Sequence, residues 1–380
     1  MLEITNLNFL IIFAEGILLS SEFKKKNRSL LMIVSLQLIL LLGFRSNSVG
    51  IDTETYVTLF SYVEEGANIT YLEIGNQVLL WLAAHLFHSY TVMLTMYATI
   101  TVWSVFWVIR KESDNAFFSI IIYVGFMYYY WAFNGMRQAA AMSIALVAVH
   151  YLQCGKDKQF LIFTILSASL HKSALIILAF WLVKKLKIRV NKNWAILIIA
   201  LSGIGVLAGP EIISVGLLLM KSYAEYLDSG FVGAGNLFHP ILFMMIFLFL
   251  LLIKSEMSDA NRLYLTMLGV GVVLYFISVR IQIVNRLTYY FTMPLIILLP
   301  NIIESLQPDN RKVSKVISYL GISLYQLLLV LRGAQGITPY RSFGSNIAVL
   351  DGEVCYEDIL FFKKRISILP ALSGSDSIAK

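Results

Sequence analysis

Apolar runs close to the length of a bilayer recur along this chain, and they limit its fold more than any other feature. Ten of them lie at residues 8–21, 29–44, 91–109, 116–133, 138–153, 193–208, 237–253, 263–279, 287–303 and 313–331. A spanning helix needs roughly 20 mostly apolar residues, so the shorter runs must draw in flanking polar residues. The chain is 58% hydrophobic and only 14% charged, whereas an ordinary soluble domain carries about a quarter charged residues. Lipid has to cover much of this surface. The expectation is an all-α, polytopic integral membrane protein with about 10 spanning helices.

The basic residues set the orientation. They gather in short loops: 24–28 (KKKNR), 110–114, 155–158, 184–192, 254–262 and 308–315. Cytoplasmic loops of membrane proteins are enriched in Lys and Arg, so the net charge of +7 reads as topology. No pattern of basic groove and stacked aromatics points to nucleic acid. With those loops inside, the block 160–183, interrupted by His171, Lys172 and Ser173, must enter and leave on the cytoplasmic side. It reads as a broken or re-entrant hairpin with His171 near its tip. Residues 71–90 then cannot span, and with Glu73, Asn76, Gln77 and His85 they read as an interfacial helix. Residues 1–342 form one transmembrane domain on this reading, and 343–380 a tail with no periodicity. The first apolar run lacks a basic leader and reads as a retained helix. Cys154 and Cys355 fall on opposite sides, and they form neither a metal spacing nor a disulfide framework. No metal or cofactor is expected.

The polar residues that break the pattern converge on the outer side. Arg45 follows a span, where snorkelling is the alternative to a binding role. Asp52 is a candidate catalytic group, with helix capping as its alternative. Arg137 sits in the first turn of a helix, where a cation opposes the macrodipole unless an anion binds. The aromatics Tyr128–Trp131 before it read as an interfacial belt or a sugar-stacking wall. His171, with a near-neutral pKa, suits proton transfer from a hydroxyl. Arg280 and Arg286 flank a short turn, and paired guanidinium groups suit a pyrophosphate. Zinc-protease, Walker-type and lipase-type motifs are not seen.

Several stretches, taken in order, resemble the EpsG family of bacterial exopolysaccharide proteins, related to the Wzy-type O-antigen and capsule polymerases. They are RSNSVGIDTETY with YLEIGNQVLLWL, FNGMRQAAAMSIAL with HYL, LSASLHKSALIIL, NRLTYYF and ITPYR, across about residues 40–341. The resemblance implies a glycosyltransferase that polymerises polysaccharide at the outer face of the bacterial cytoplasmic (inner) membrane. The donor would be a glycan on undecaprenyl pyrophosphate, and the acceptor another lipid-linked repeat unit. A chain-length regulator and a flippase are partners it suggests. Catalytic roles fall to His171 and Asp52, and substrate binding to Arg45, Arg137, Arg280, Arg286, Tyr340 and Arg341. A glycan ligase of similar fold and a lipid-linked oligosaccharide transporter or flippase are the competing readings.

Overall fold

The computed structural model describes residues 27–188, 193–218, 236–253, 257–331, 336, 337 and 340, and every regular element among them is a helix. The first apolar run, Arg341 and the 343–380 tail lie outside the described residues. The elements are α1 (Arg28–Gly43), α2 (Thr53–Glu64), α3 (Ile74–His85), α4 (Tyr90–Glu112), α5 (Ala116–Gly125), α6 (Tyr128–Trp131), α7 (Met136–Gln153) and α8 (Asp157–Leu170). A 3-10 helix (Lys172–Ile177) leads into α9 (Leu178–Lys185) and α10 (Asn193–Leu218). There follow α11 (Phe238–Leu252), α12 (Asp259–Ser278), α13 (Gln282–Thr292), α14 (Leu295–Glu304) and α15 (Pro308–Leu331).

Among the described residues, α4 and α12 are each long and apolar enough to cross a membrane. α13 and α14 together make a third such span, bent by 43°. Helices α1, α5 and α11 are apolar but shorter. Length alone therefore supports two or three of the expected spans, and local breaks explain part of the difference. The run 116–133 stops at Met127, whose φ of 66° is left-handed. The run 287–303 bends beside Pro294, which has no N–H to continue a helix.

Helix ends sort into two opposed sets. At one end Asp114 N–H donates to Asn301 Oδ1 at 2.8 Å, Asn115 Nδ2 to Glu304 Oε1 at 2.9 Å, and Gln153 Nε2 to the Ala260 carbonyl at 3.4 Å. At the other end Asn76 Nδ2 donates to the Leu170 carbonyl at 2.6 Å and Gly50 N–H to the Gly336 carbonyl at 3.0 Å. The first set lies beside described parts of the expected basic loops, at 110–114, 155–158, 257–262 and 308–315. Helix α7 runs between the two ends and is buried along most of its length. Ser167 Oγ on α8 reaches the Ala141 carbonyl at 2.6 Å, a close approach that the small run Ala139–Ala141 permits.

The 160–183 block turns back on itself. Lys185 at the end of α9 pairs with Asp157 at the start of α8, 2.8 Å apart, and Lys184 Nζ donates to the Leu152 carbonyl. His171 lies at the turn. The outward leg rises about 21 Å and the return leg about 24 Å, both short of the roughly 30 Å hydrocarbon core.

Large apolar side chains cover the outside. Met32, Ile33 and Leu36 on α1, Ile162 and Ile165 on α8, and Val313, Ile317, Leu320 and Leu324 on α15 are all exposed. Stripes of this size on a water-facing surface would drive association; lipid removes that cost. Helix α3 follows the same rule. Ile74, Val78 and Trp81 point outward, while Asn76 is fully buried. An unpartnered amide facing hydrocarbon costs more than one paired inside.

Gly50 holds the loop after α1 with a φ of +91°, and an added Cβ would lie 2.5 Å from the Phe133 carbonyl oxygen. Gly66 has a φ of +90° but open space around it. Gly50→Ala is expected to destabilise by at least about 1–3 kcal/mol, measured as unfolding temperature in detergent, and clearly more than Gly66→Ala. Equal losses would contradict the close approach.

Candidate functional site at the hairpin tip

Two adjoining polar clusters occupy the end opposite the basic loops. The first is built on Arg45. Its backbone follows the last turn of α1, and its guanidinium turns back to the Leu42 carbonyl, one of the acceptors a helix C-terminus leaves unsatisfied. Nε donates to Thr53 Oγ1 at 3.2 Å and a terminal nitrogen to the Phe133 carbonyl at 3.4 Å. The Phe133 ring lies 5.2 Å from the charge. Arg45 is only 1% exposed. Burial pulls its pKa down to about 10, with Tyr129 opposing, so it stays charged at neutral pH. These contacts brace the Asn134–Gly135 turn against the loop after α1. Asp52 N–H adds a 3.4 Å bond to Asn134 Oδ1, and the Asp52 carboxylate does not cap α2. Tyr340 OH donates to the Leu41 carbonyl at 2.8 Å, tying the far end of the chain to α1.

The second cluster is built on Arg137 in the first turn of α7. Its anion is Glu73, at the N-terminus of α3, with NH1 3.0 Å from Oε2. The side chains are 23% and 13% exposed. The Tyr56 hydroxyl of α2 also bonds the guanidinium. Glu73 Oε2 accepts from Asn76 Nδ2 at 3.0 Å, and Oε1 from Lys172 N–H at 3.3 Å. Asn76 is held by Tyr97 OH at 2.8 Å and by the Leu170 carbonyl. One carboxylate thus joins α3, α7 and the tip of the α8–α9 hairpin.

His171 sits at that tip. Its Nδ1 is 2.6 Å from Ser173 Oγ, which donates to Tyr290 OH on α13 at 3.0 Å. With Ser173 donating onward, Nδ1 carries the proton and Nε2 is left as the acceptor. The ring is beyond the helix ends, and burial first, then the Arg137 charge, push its pKa down to about 4, with Arg286 adding to this and Glu73 opposing. His171 is therefore neutral at pH 7.

Arg286 on α13 is exposed, and its backbone carbonyl accepts from Gln138 Nε2 beside Arg137. Among the described residues no carboxylate pairs with it. Arg280 stands apart, donating to the Val206 carbonyl on α10 at 3.0 Å. The structure thus joins Arg137, His171 and Arg286, sets Arg45, Asp52 and Tyr340 in the neighbouring cluster, and leaves Arg280 outside both. Glu73, Tyr56, Ser173 and Tyr290 complete the site, and none of them was among the expected site residues. The tyrosines at 128–130 are at most 2% exposed and reach other helices: Tyr129 OH donates to the Leu38 carbonyl at 2.8 Å, Tyr128 stacks edge-on with Tyr289, and Tyr130 OH accepts from Gln326 at 3.1 Å. They are core, not the expected belt or stacking wall, because Met127 turns their short helix inward.

Lipid-covered helices with cations and a neutral imidazole gathered at one end define a polytopic membrane protein with a one-sided polar site. The chain belongs to the EpsG family, whose model matches residues 28–342. No curated protein and no solved structure matches it.

The two clusters predict different costs. Arg45→Ala leaves buried carbonyls without donors and is expected to lose about 2–4 kcal/mol, seen as a lower unfolding temperature. Arg286→Ala, at an exposed group, is expected to change stability by less than about 0.5 kcal/mol. Matching losses would contradict this division between bracing and surface cations.

Proposed function

We propose that the chain is a polysaccharide polymerase of the bacterial cytoplasmic membrane, with about ten spanning helices, α3 at the outer interface and the hairpin tip facing outside. Its donor is a glycan carried on undecaprenyl pyrophosphate, and its acceptor is the non-reducing end of a second lipid-linked repeat unit. The acceptor hydroxyl attacks the anomeric carbon as the bond from that carbon to the phosphate oxygen breaks. The lipid pyrophosphate leaves with the bonding electrons, and the hydroxyl proton passes to a base.

The observation that carries this reading is the pairing state of the cations. Arg286 is exposed with no carboxylate on it among the described residues, beside Arg137 and a neutral His171. Arg286 and Arg137 hold the departing diphosphate through parallel hydrogen bonds. They stabilise negative charge where it develops on the leaving oxygen. His171 Nε2 takes the proton, and Ser173 and Tyr290 fix its tautomer. Asp52 is a second candidate for orienting the acceptor. Arg280, Tyr340 and Arg341 are further candidates for contact with the substrate; Arg341 lies outside the described residues. Family membership supports polysaccharide synthesis, and the sorting of polar groups to the two ends favours an enzyme over a transporter with mid-depth charges.

A deletion strain complemented with variants tests the reading. Arg286→Ala and His171→Ala are each expected to slow linkage formation by about 100-fold, leaving single repeat units in membranes that still contain the protein. Arg137→Lys keeps the charge but loses the fork, and shortened glycan is expected. Normal glycan length in all three would contradict the proposal. Accumulated lipid-linked polymer of full length would indicate a ligase instead.

A further inference from the structure

Arg137 and Arg286 differ in one respect. Arg137 is already occupied by Glu73, while Arg286 has no carboxylate among the described residues. The pairing has two features that a purely structural bridge does not need. Arg137 Nε is buried and makes no hydrogen bond, so the guanidinium holds a donor in reserve. Glu73 meanwhile rests on two neutral donors, Asn76 Nδ2 at 3.0 Å and Lys172 N–H at 3.3 Å. Those donors stay in place if Arg137 turns away, because Asn76 is locked by Tyr97 and by the Leu170 carbonyl. The carboxylate keeps its seat and the cation is free to change partner.

We infer that Glu73 is the resident counterion of Arg137, exchanged for the donor's diphosphate on binding and restored when the lipid diphosphate departs. This rests on the polymerase reading of the same pocket. A diphosphate offers more oxygens and more charge than one carboxylate, so it outcompetes Glu73 at the guanidinium fork. After transfer the product carries the same diphosphate and would be held as tightly as the substrate. A carboxylate waiting beside the arginine lowers that affinity and speeds release, a step that often limits turnover. Glu73 is thus a positioning residue that acts through Arg137 and does not touch the reacting atoms.

The test uses purified full-length protein in lipid nanodiscs, with inorganic pyrophosphate as the probe. Glu73→Gln keeps an acceptor for Lys172 N–H and removes the charge. It is expected to bind pyrophosphate about tenfold more tightly than the wild type, the scale of one charge at a partly buried site. In polymerisation assays its KM for donor falls and its kcat falls with it, a split that loss of folding would not produce. In the Arg137→Gln background, adding Glu73→Gln is expected to give no gain. If Glu73→Gln does not fold, Glu73→Asp, which keeps the charge but shortens its reach, is expected to bind more tightly than the wild type. Binding by the wild type without any gain in the folded Glu73 variant would overturn the exchange alone. Absence of pyrophosphate binding in both proteins would overturn the diphosphate reading beneath it.

Discussion

A guanidinium in the first turn of a buried helix persists only beside a compensating anion, and this structure is arranged to bring one there. The positive end of the α7 dipole already disfavours Arg137. Glu73 answers it from 64 positions earlier in the chain. To reach, α3 must lie across the bundle end with its polar residues turned inward and its apolar stripe outward. The same carboxylate takes the backbone of Lys172, so the hairpin tip is pinned to the same point. Removing Glu73 leaves the Arg137 charge half-buried without its anion, a net cost. Three elements therefore meet at this one carboxylate, next to His171.

The opposite end shows what cations look like when they have no further task. Glu304 is almost fully buried and pairs with Arg311 at 3.6 Å and with Lys315. Asp157 pairs with Lys185, and Glu112 bonds both His150 and Tyr264. Other cations at this end settle on neutral partners: Arg262 donates to the Met257 carbonyl at 3.3 Å, and Lys111 and Lys156 lie over the rings of Trp107 and Tyr151. A solvated surface pair is worth little, but at a membrane boundary pairing also fixes where each helix stops. The site end instead keeps Arg286 in reserve.

Much of this was legible in the residues. Counting Lys and Arg in loops ordered the helices, and the interruption at His171 marked a segment that turns back, as the Lys185–Asp157 contact shows. The gathering of Arg137, His171 and Arg286 followed from that order. What could not be read were long-range partners and local breaks. Glu73 looked like part of a polar helix face because its partner lies far along the chain and neither residue signals the other. Arg45 looked like a ligand because exposure is a property of packing; in the fold its donors go to Leu42, Thr53 and Phe133. The tyrosines at 128–130 went wrong at one residue, Met127, whose left-handed backbone no propensity marks.

Everything functional here requires the end that bears His171, Arg137 and Arg286 to face away from the cytosol. Cysteine labelling measures that directly. In a background with Cys154 and Cys355 replaced by alanine, Lys172→Cys stands exposed at the hairpin tip and Lys187→Cys just beyond α9 at the other end. With a membrane-impermeant maleimide, position 172 is expected to label in intact spheroplasts and position 187 only after permeabilisation. Labelling of 187 alone in intact spheroplasts, or of both positions equally, would contradict the outward-facing site.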